Sequence, residues 1–274
     1  MRGTIQGSRK TFSSAWGEDG VKVSIVGVGA IGGSIAIKLA ESGVEVFVND
    51  VDAELLSLLS EKARVKRFDL AKDNVDVVII ATPMNVEERL LQEFPFTEVL
   101  IMDVASVKTP FVRIAESRKL RFVGGHPMAG SVYRKSMGWD PEIFQERPFF
   151  LCRTRYTDER DADVSEKIVR LIGASPVWVS PEYHDKAVSR VSHTTYFLSL
   201  VAKLLGSGFE DFAGPGFSST TRLSRQNPEM VLDMLRYNRE NILADLKNAE
   251  KILREFIRMI ERNDFEEFLK RVEE

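Results

Sequence analysis

The chain has 274 residues, 43% hydrophobic and 29% charged, with a formal net charge of -3. This composition suits one nucleotide-sized domain plus a smaller second one with a full apolar core. Acid and base are interspersed without a basic stripe, which argues against a nucleic-acid partner. The single cysteine, Cys152 in the run FFLC, excludes an internal disulfide and a cysteine-based metal cluster, and reads as a buried strand residue. No apolar run reaches the roughly 18–20 residues that span a bilayer. The first twenty residues are polar and lack an apolar h-region, so 1–20 reads as a flexible extension and the cytoplasm is the expected location.

Structure is expected to begin at residues 21–26, VKVSIV, a short buried strand. A glycine loop follows, then a helix over about 31–42 that stops at Gly43. Residues 44–48 form a second strand, and Asp52 caps a helix running to about Lys62. Further strands are expected at 75–80, closed by Ala81-Thr82-Pro83, and at 99–102, closed by Asp103. Phe122-Val123 leads into a loop, Gly124-Gly125-His126-Pro127. Residues 148–152 and 177–179 read as strands that flank a helix near 164–172 and complete the same sheet. Strands alternating with helices indicate a parallel sheet covered on both faces.

From Pro181 onward no strand pattern remains. One helix is expected over 184–205, then a glycine-rich break at 206–216, then a long helical stretch after Pro228. Within it Ile242, Leu246, Ala249, Leu253, Phe256 and Ile260 follow alternating steps of four and three, a helix-packing stripe. The fold class is therefore α/β. An N-terminal Rossmann-type domain over 21–180 is followed by an all-helical domain over 181–274.

Gly27-Val28-Gly29-Ala30-Ile31-Gly32 is a GxGxxG between an expected strand and an expected helix, the context that gives this motif meaning. Gly27 permits the tight turn, Gly29 lets a pyrophosphate approach, and Gly32 lets helix and strand pack closely. The helix that opens at Ala30 and Ile31 offers free amides to the phosphates. Asp50, at the end of the second strand, is placed to accept from the adenosine ribose hydroxyls. Val51 and Asp52 follow, with no cation for a 2′-phosphate, so the expected cofactor is NAD rather than NADP.

Ligands of open α/β sheets bind beyond the carboxyl ends of the strands. Three segments fall there: 81–84, with Thr82 and Pro83 assigned to the cofactor; 103–108, with Ser106 and Lys108; and 124–130, with His126. His126 lies among glycines and a proline, where backbone crowds a ligand, which favours a functional role. His193 lies in an apolar helix and on its own reads as a core histidine. His184 reads as a cap or surface residue. Ser106 has a competing reading as a helix N-cap, and Lys108 one as a cover for the sheet end. No metal site is expected.

These motifs, in this order, resemble the prephenate/arogenate dehydrogenase family: GVGAIGGSIA at 27–36, DVASVK at 103–108, GGHPMAG at 124–130, HD at 184–185, SH at 192–193, and GPGFSSTTRLS with NPEM from 214 to 230. The resemblance covers about residues 21–260. It implies a Rossmann domain followed by a helical domain that forms a homodimer, and NAD-dependent oxidative decarboxylation of prephenate or arogenate in tyrosine biosynthesis. By resemblance, His126 is the base near the ring hydroxyl, Ser106 contacts the same hydroxyl, and Arg222 binds a substrate carboxylate. His193 and Lys108 are assigned to the substrate side.

Departures from the family pattern fall on that side. Tyr196 stands where many prephenate-using members carry a second histidine, with Thr195 before it in place of a proline. Ser218-Ser219 replace an Arg-Asp pair, and Val231 replaces a tryptophan. Loss of the second histidine is compatible with arogenate, so both substrates stay open. Two other functions compete. One is a β-hydroxyacid-type dehydrogenase with a lysine in the helical domain. The other is a non-catalytic NAD-binding regulatory protein.

Overall fold

The computed structural model describes residues 20–68, 74–95, 98–130 and 133–273. The expected extension over 1–20 lies, but for Gly20, outside the described residues. The chain divides into two compact units, one ending at Pro181 and the other beginning at Glu182.

The first unit holds eight strands: β1 (Lys22–Val26), β2 (Glu45–Asn49), β3 (Val65–Arg67), β4 (Val77–Ile80), β5 (Leu100–Asp103), β6 (Phe122–Pro127), β7 (Pro148–Arg153) and β8 (Ser175–Trp178). They form one sheet in the order β3-β2-β1-β4-β5-β6-β7-β8. All neighbours run parallel except β6 and β7. Five helices connect them: α1 (Ala30–Glu41), α2 (Ala53–Lys62), α3 (Met84–Glu93), α4 (Thr109–Ser117) and α5 (Glu159–Leu171). All four residues of β4, VVII, and of β5, LIMD, are buried, as strands covered on both faces require. The strand order reverses between β1 and β4, and that switch point opens a crevice at the carboxyl ends of the strands.

Local chemistry sets the helix starts. Asp52 caps α2 by accepting from the amides of Glu54 and Leu55, and Asp158 caps α5 by accepting from Asp161 at 2.7 Å. Two sheet features depart from the sequence expectation. Strand β3 carries only three residues, VKR, two of them exposed, too short for an alternation to show. The GGHP segment is strand rather than loop. It stays extended because β7 runs antiparallel beside it, with Gly124 facing Cys152, Gly125 facing Leu151 and His126 facing Phe150.

The second unit holds helices joined by turns and loops, with no strand among its described residues. It comprises α6 (Pro181–Val188), α7 (Thr194–Leu205), α8 (Pro215–Thr220), α9 (Pro228–Tyr237), α10 (Arg239–Glu261) and α11 (Phe265–Glu273). The helix expected over 184–205 is interrupted by a π-helical turn, Ser189–His193. The stretch after Pro228 breaks at Asn238, whose backbone (φ -127°, ψ 24°) ends α9 and starts α10. Val231, Met234 and Ile242 form a small core with Tyr196, Phe197, Leu235 and Leu246 against it. Of the expected stripe Ile242 is buried and Leu246, Ala249 and Phe256 are half-buried within this single chain, while Leu253 and Ile260 are 52% and 61% exposed.

Candidate active site

The glycine loop joins β1 to α1 at the switch point. Gly27 has φ +92°, and a Cβ there would lie 2.6 Å from the Ala81 carbonyl oxygen. A Cβ at Gly32 would lie 2.0 Å from the Gly27 oxygen. Both positions therefore require glycine. Gly29 differs, because a Cβ there would meet nothing within 4 Å. Its bareness keeps the backbone open toward a ligand. Gly29 caps α1 without a side-chain bond, and the first turn holds no acid. The amides of Ala30, Ile31 and Gly32 come before Gly33, the first to donate within the helix, and thus form an uncapped, electropositive helix end.

Two side chains brace this loop. Asp50, just past β2, accepts from the Val28 amide at 2.7 Å and from the Asp52 amide at 2.9 Å. Trp139 donates its indole N–H to the carbonyls of Val28 and Gly29, at 3.0 and 3.1 Å. Sequence reasoning missed Trp139. Its signal is the second glycine of the Gly32-Gly33 pair, since a Cβ at Gly33 would lie 1.9 Å from the indole nitrogen. Thr82 follows β4 and packs its methyl toward Gly27, while its hydroxyl is buried with no hydrogen-bond partner. Pro83 caps α3. A bare cradle, free helical amides and an orphaned hydroxyl fit a dinucleotide.

Beside the cradle, β5 and β6 lie next to each other and carry the second group of residues. His126 is half-buried, between Gly125 and Pro127 near the end of β6. Ser106 is half-buried three residues past β5. Helix α4 is capped at Lys108, so Ser106 does not act as its N-cap.

Two readings of Lys108 compete. Its side chain is fully buried and ion-paired with Asp103, also fully buried, and its ammonium donates to the Gly125 carbonyl. It is spent inside the sheet end, in line with its reading as a cover there. Glu87 on α3 is also fully buried, beside Asp103. Burial, reinforced by the Asp103 charge, raises its carboxyl well above the ordinary range, and Lys108 offsets this only in part. Burial among these groups thus disfavours the charged form of Glu87. Its only sequence signal is one acid on the inner side of α3.

In the helical unit the π-turn carries His193 onto the buried face, a common use of such bulges. Asn238 donates to its Nδ1 at 3.2 Å and to the Asp185 carbonyl at 2.9 Å. With Nδ1 accepting, Nε2 carries the proton, and it has no partner among the described residues. Burial pushes the imidazole down to about 4, the Asp185 charge opposing and His184 adding. His184 is buried and bonded to Asp185 at 2.8 Å, not a cap or surface residue. Tyr196 packs edge-on against Phe197 at the small core. Arg222 opens a 3-10 turn, Arg222–Arg225, is exposed, and makes no ion pair among the described residues. Its neighbour Thr221 is buried and bonded to the Phe217 carbonyl, which anchors the turn.

Among the described residues no group of His, Cys, Asp and Glu could hold a metal. Cys152 is buried in β7 and forms no disulfide with any described residue.

A doubly wound sheet with a bare glycine cradle, followed by a helical unit, defines a dinucleotide-binding protein of the Rossmann class. Residues 35–177 match the family model described as prephenate dehydrogenase, nucleotide-binding domain, and residues 180–274 match prephenate dehydrogenase, dimerization domain. The chain belongs to the prephenate dehydrogenase family. It is 30% identical over 244 residues to the prephenate dehydrogenase of Bacillus subtilis, an alignment covering 81% of this chain and 65% of that one. Among solved structures it resembles the A. aeolicus prephenate dehydrogenase in complex with hydroxyphenyl propionate and NAD+. That match has TM-score 0.84 and 25% identity, over 92% of this chain and 95% of that one. It also resembles Synechocystis arogenate dehydrogenase, with TM-score 0.76 and 26% identity over 90% and 94% of the two chains.

Proposed function

We propose that this protein is an NAD-dependent dehydrogenase that oxidatively decarboxylates prephenate or arogenate. The observation that carries this reading is the placement of His126 and Ser106 at the ends of adjacent strands, beside the glycine cradle braced by Asp50. Solved relatives of the same fold act on these substrates by name, and one holds NAD+ together with a hydroxyphenyl compound.

When bound, NAD accepts the hydride from the ring carbon that bears the hydroxyl. The cradle at Gly27, Gly29, Ala30, Ile31 and Gly32 would hold its pyrophosphate, and Thr82 and Pro83 line the neighbouring strand end. Asp50 and Asp52 repel a 2′-phosphate, and the Lys135 ammonium is bonded to Asp52 at 2.8 Å. This favours NAD over NADP.

His126 takes the hydroxyl proton as the carbon–oxygen double bond forms. Neutral imidazole, with an unperturbed value near 6.5, suits that transfer at physiological pH. Ser106 orients the hydroxyl. The ring carboxylate leaves as carbon dioxide, its bonding electrons completing the aromatic ring, and the phenolate oxygen recovers a proton. Arg222 anchors a substrate carboxylate, for which a planar guanidinium offers two parallel donors. His193 is neutral and presents its Nε2 proton, so it contributes a hydrogen bond and no charge. Lys108 has no part in binding.

The protein acts as a homodimer through its helical unit. No described helix is long and apolar enough to cross a membrane, in keeping with a cytoplasmic enzyme. Steady-state assays with prephenate and with arogenate, each with NAD and NADP, test the reading. Turnover of at least one substrate, faster with NAD, is the expected result. Tight NAD binding with turnover of neither would contradict it and favour a regulatory NAD-binding protein.

A further inference from the structure

The β5–β6 ladder stops early. Its parallel pairing runs only through Ile101 with Phe122 and Met102 with Val123, yet β6 continues to Pro127. In a strand the N–H and C=O of one residue point to the same side, and alternate residues point to opposite sides. Gly125 thus turns both groups toward β5, where no backbone partner is left. Two side chains take the place of the missing strand. Asp103 Oδ1 accepts from the Gly125 amide at 2.6 Å, and Lys108 Nζ donates to the Gly125 carbonyl. The other Asp103 oxygen holds Lys108 in place.

The glycine pair makes this possible. A Cβ at Gly125 would lie 2.4 Å from the Asp103 carbonyl oxygen and 2.8 Å from the Phe149 ring. A Cβ at Gly124 would press on the Lys108 chain at 3.2 Å. DVASVK and GGHP are therefore two halves of one buried clamp, and the clamp closes on the residue before His126.

Such a clamp is a poor way to stabilise a sheet. A fully buried ion pair gives back in desolvation much of what it gains in attraction, and apolar residues of similar size commonly do as well or better. Two glycines in a strand add a conformational cost. Glu87 adds a third buried ionisable group beside the pair, its carboxyl raised by burial and by the Asp103 charge.

We propose that Asp103 and Lys108 are positioning residues for His126: they fix the backbone immediately before it and so aim its imidazole. The inference rests on the reading of His126 as the base. It removes Lys108 from the substrate's contacts and gives it an indirect role in turnover.

A double-mutant cycle tests this. Lys108→Met in the otherwise wild-type protein should lower kcat by about 10–100-fold, leaving NAD affinity and KM within about twofold. In the His126→Asn background the same change should cost less than about twofold, because the aimed group is already gone. An equal loss in both backgrounds would overturn the proposal. So would a rise in KM at unchanged kcat, which would return Lys108 to the substrate. If His126→Asn alone costs nothing, the base assignment fails and the positioning role fails with it, a result distinct from the other two.

Should Lys108→Met give no cooperative melt, Asp103→Asn serves in its place, since it keeps the shape and an acceptor for the Gly125 amide. A second readout needs no substrate. In protein labelled at histidine, Lys108→Met or Asp103→Asn should shift or broaden the His126 imidazole signal and leave His184 and His193 unmoved. An unchanged His126 signal would overturn the proposal.

Discussion

Asp50 accepts a hydrogen bond from the Val28 amide at 2.7 Å, which ties the residue after β2 to the middle of the glycine loop. One carboxylate thus shapes the cradle and stands at the expected ribose position. Asp50→Ala should therefore do two things: weaken NAD binding by about 10-fold, the effect of losing a hydrogen bond to a charged group, and narrow the preference for NAD over NADP. Kd values for both cofactors by fluorescence titration check this. Unchanged affinity and unchanged preference would remove Asp50 from the site.

Trp139 braces the loop from its other side. Gly33→Ala places a methyl group where the indole nitrogen lies, 1.9 Å from the built Cβ. The indole must move and leave the Val28 and Gly29 carbonyls. A destabilisation of about 1–3 kcal/mol is expected in urea melts, as for other overpacked cores, with weaker NAD binding alongside. Wild-type stability would show that the helix shifts away at no cost.

His193 makes stability depend on pH in a defined window. Above about 6.5 the imidazole is neutral in both folded and unfolded chains and adds no slope. As pH falls from 6.5 toward about 4, the unfolded chain takes up a proton that the buried ring refuses. Stability should therefore drop on acidification, by up to ~3 kcal/mol, and this contribution flattens below the native value. His193→Asn keeps a neutral polar group and should lessen the fall between pH 7 and pH 5. Equal slopes for the two proteins in urea melts would contradict the buried, neutral assignment.

Leu253, Ile257 and Ile260 are spaced to share one face of α10, and all three are more than half exposed in the single chain. Leu269 and Val272 on α11 are similarly exposed. An apolar helix face of this kind calls for a partner surface, and the match to a dimerization domain supplies its nature. Ile257→Glu should convert a dimer to a monomer in sedimentation velocity at micromolar concentration. A wild-type monomer, or a dimer indifferent to the change, would place the interface elsewhere.

Much of this was legible in the sequence because the chemistry is local. The GxGxxG between a strand and a helix placed the cradle, and Asp52 announced the cap of α2. The order of DVASVK, GGHPMAG and TTRL pointed to the family, which the domain matches show. What escaped depends on contacts far apart in the chain. Trp139 reaches Gly29 across 110 residues, and nothing near Trp139 signals that partner. GGHP reads as a loop by composition, but it is strand because β7 supplies the pairing that glycines do not encode. Lys108 looked like a substrate cation because a lysine beyond a strand end is ordinarily exposed. Only the fold shows it folded back beneath Gly125. The π-turn Ser189–His193 lies in a segment that also reads as one continuous helix, so its composition did not mark it.

The central claim is that His126 removes the hydroxyl proton during hydride loss. His126→Asn keeps the size of the side chain and removes the base. Single-turnover and steady-state rates with the preferred substrate and NAD test it directly. The account predicts a fall in turnover on the order of 10²–10⁴-fold with NAD affinity nearly unchanged. Turnover close to the unaltered protein's would contradict it.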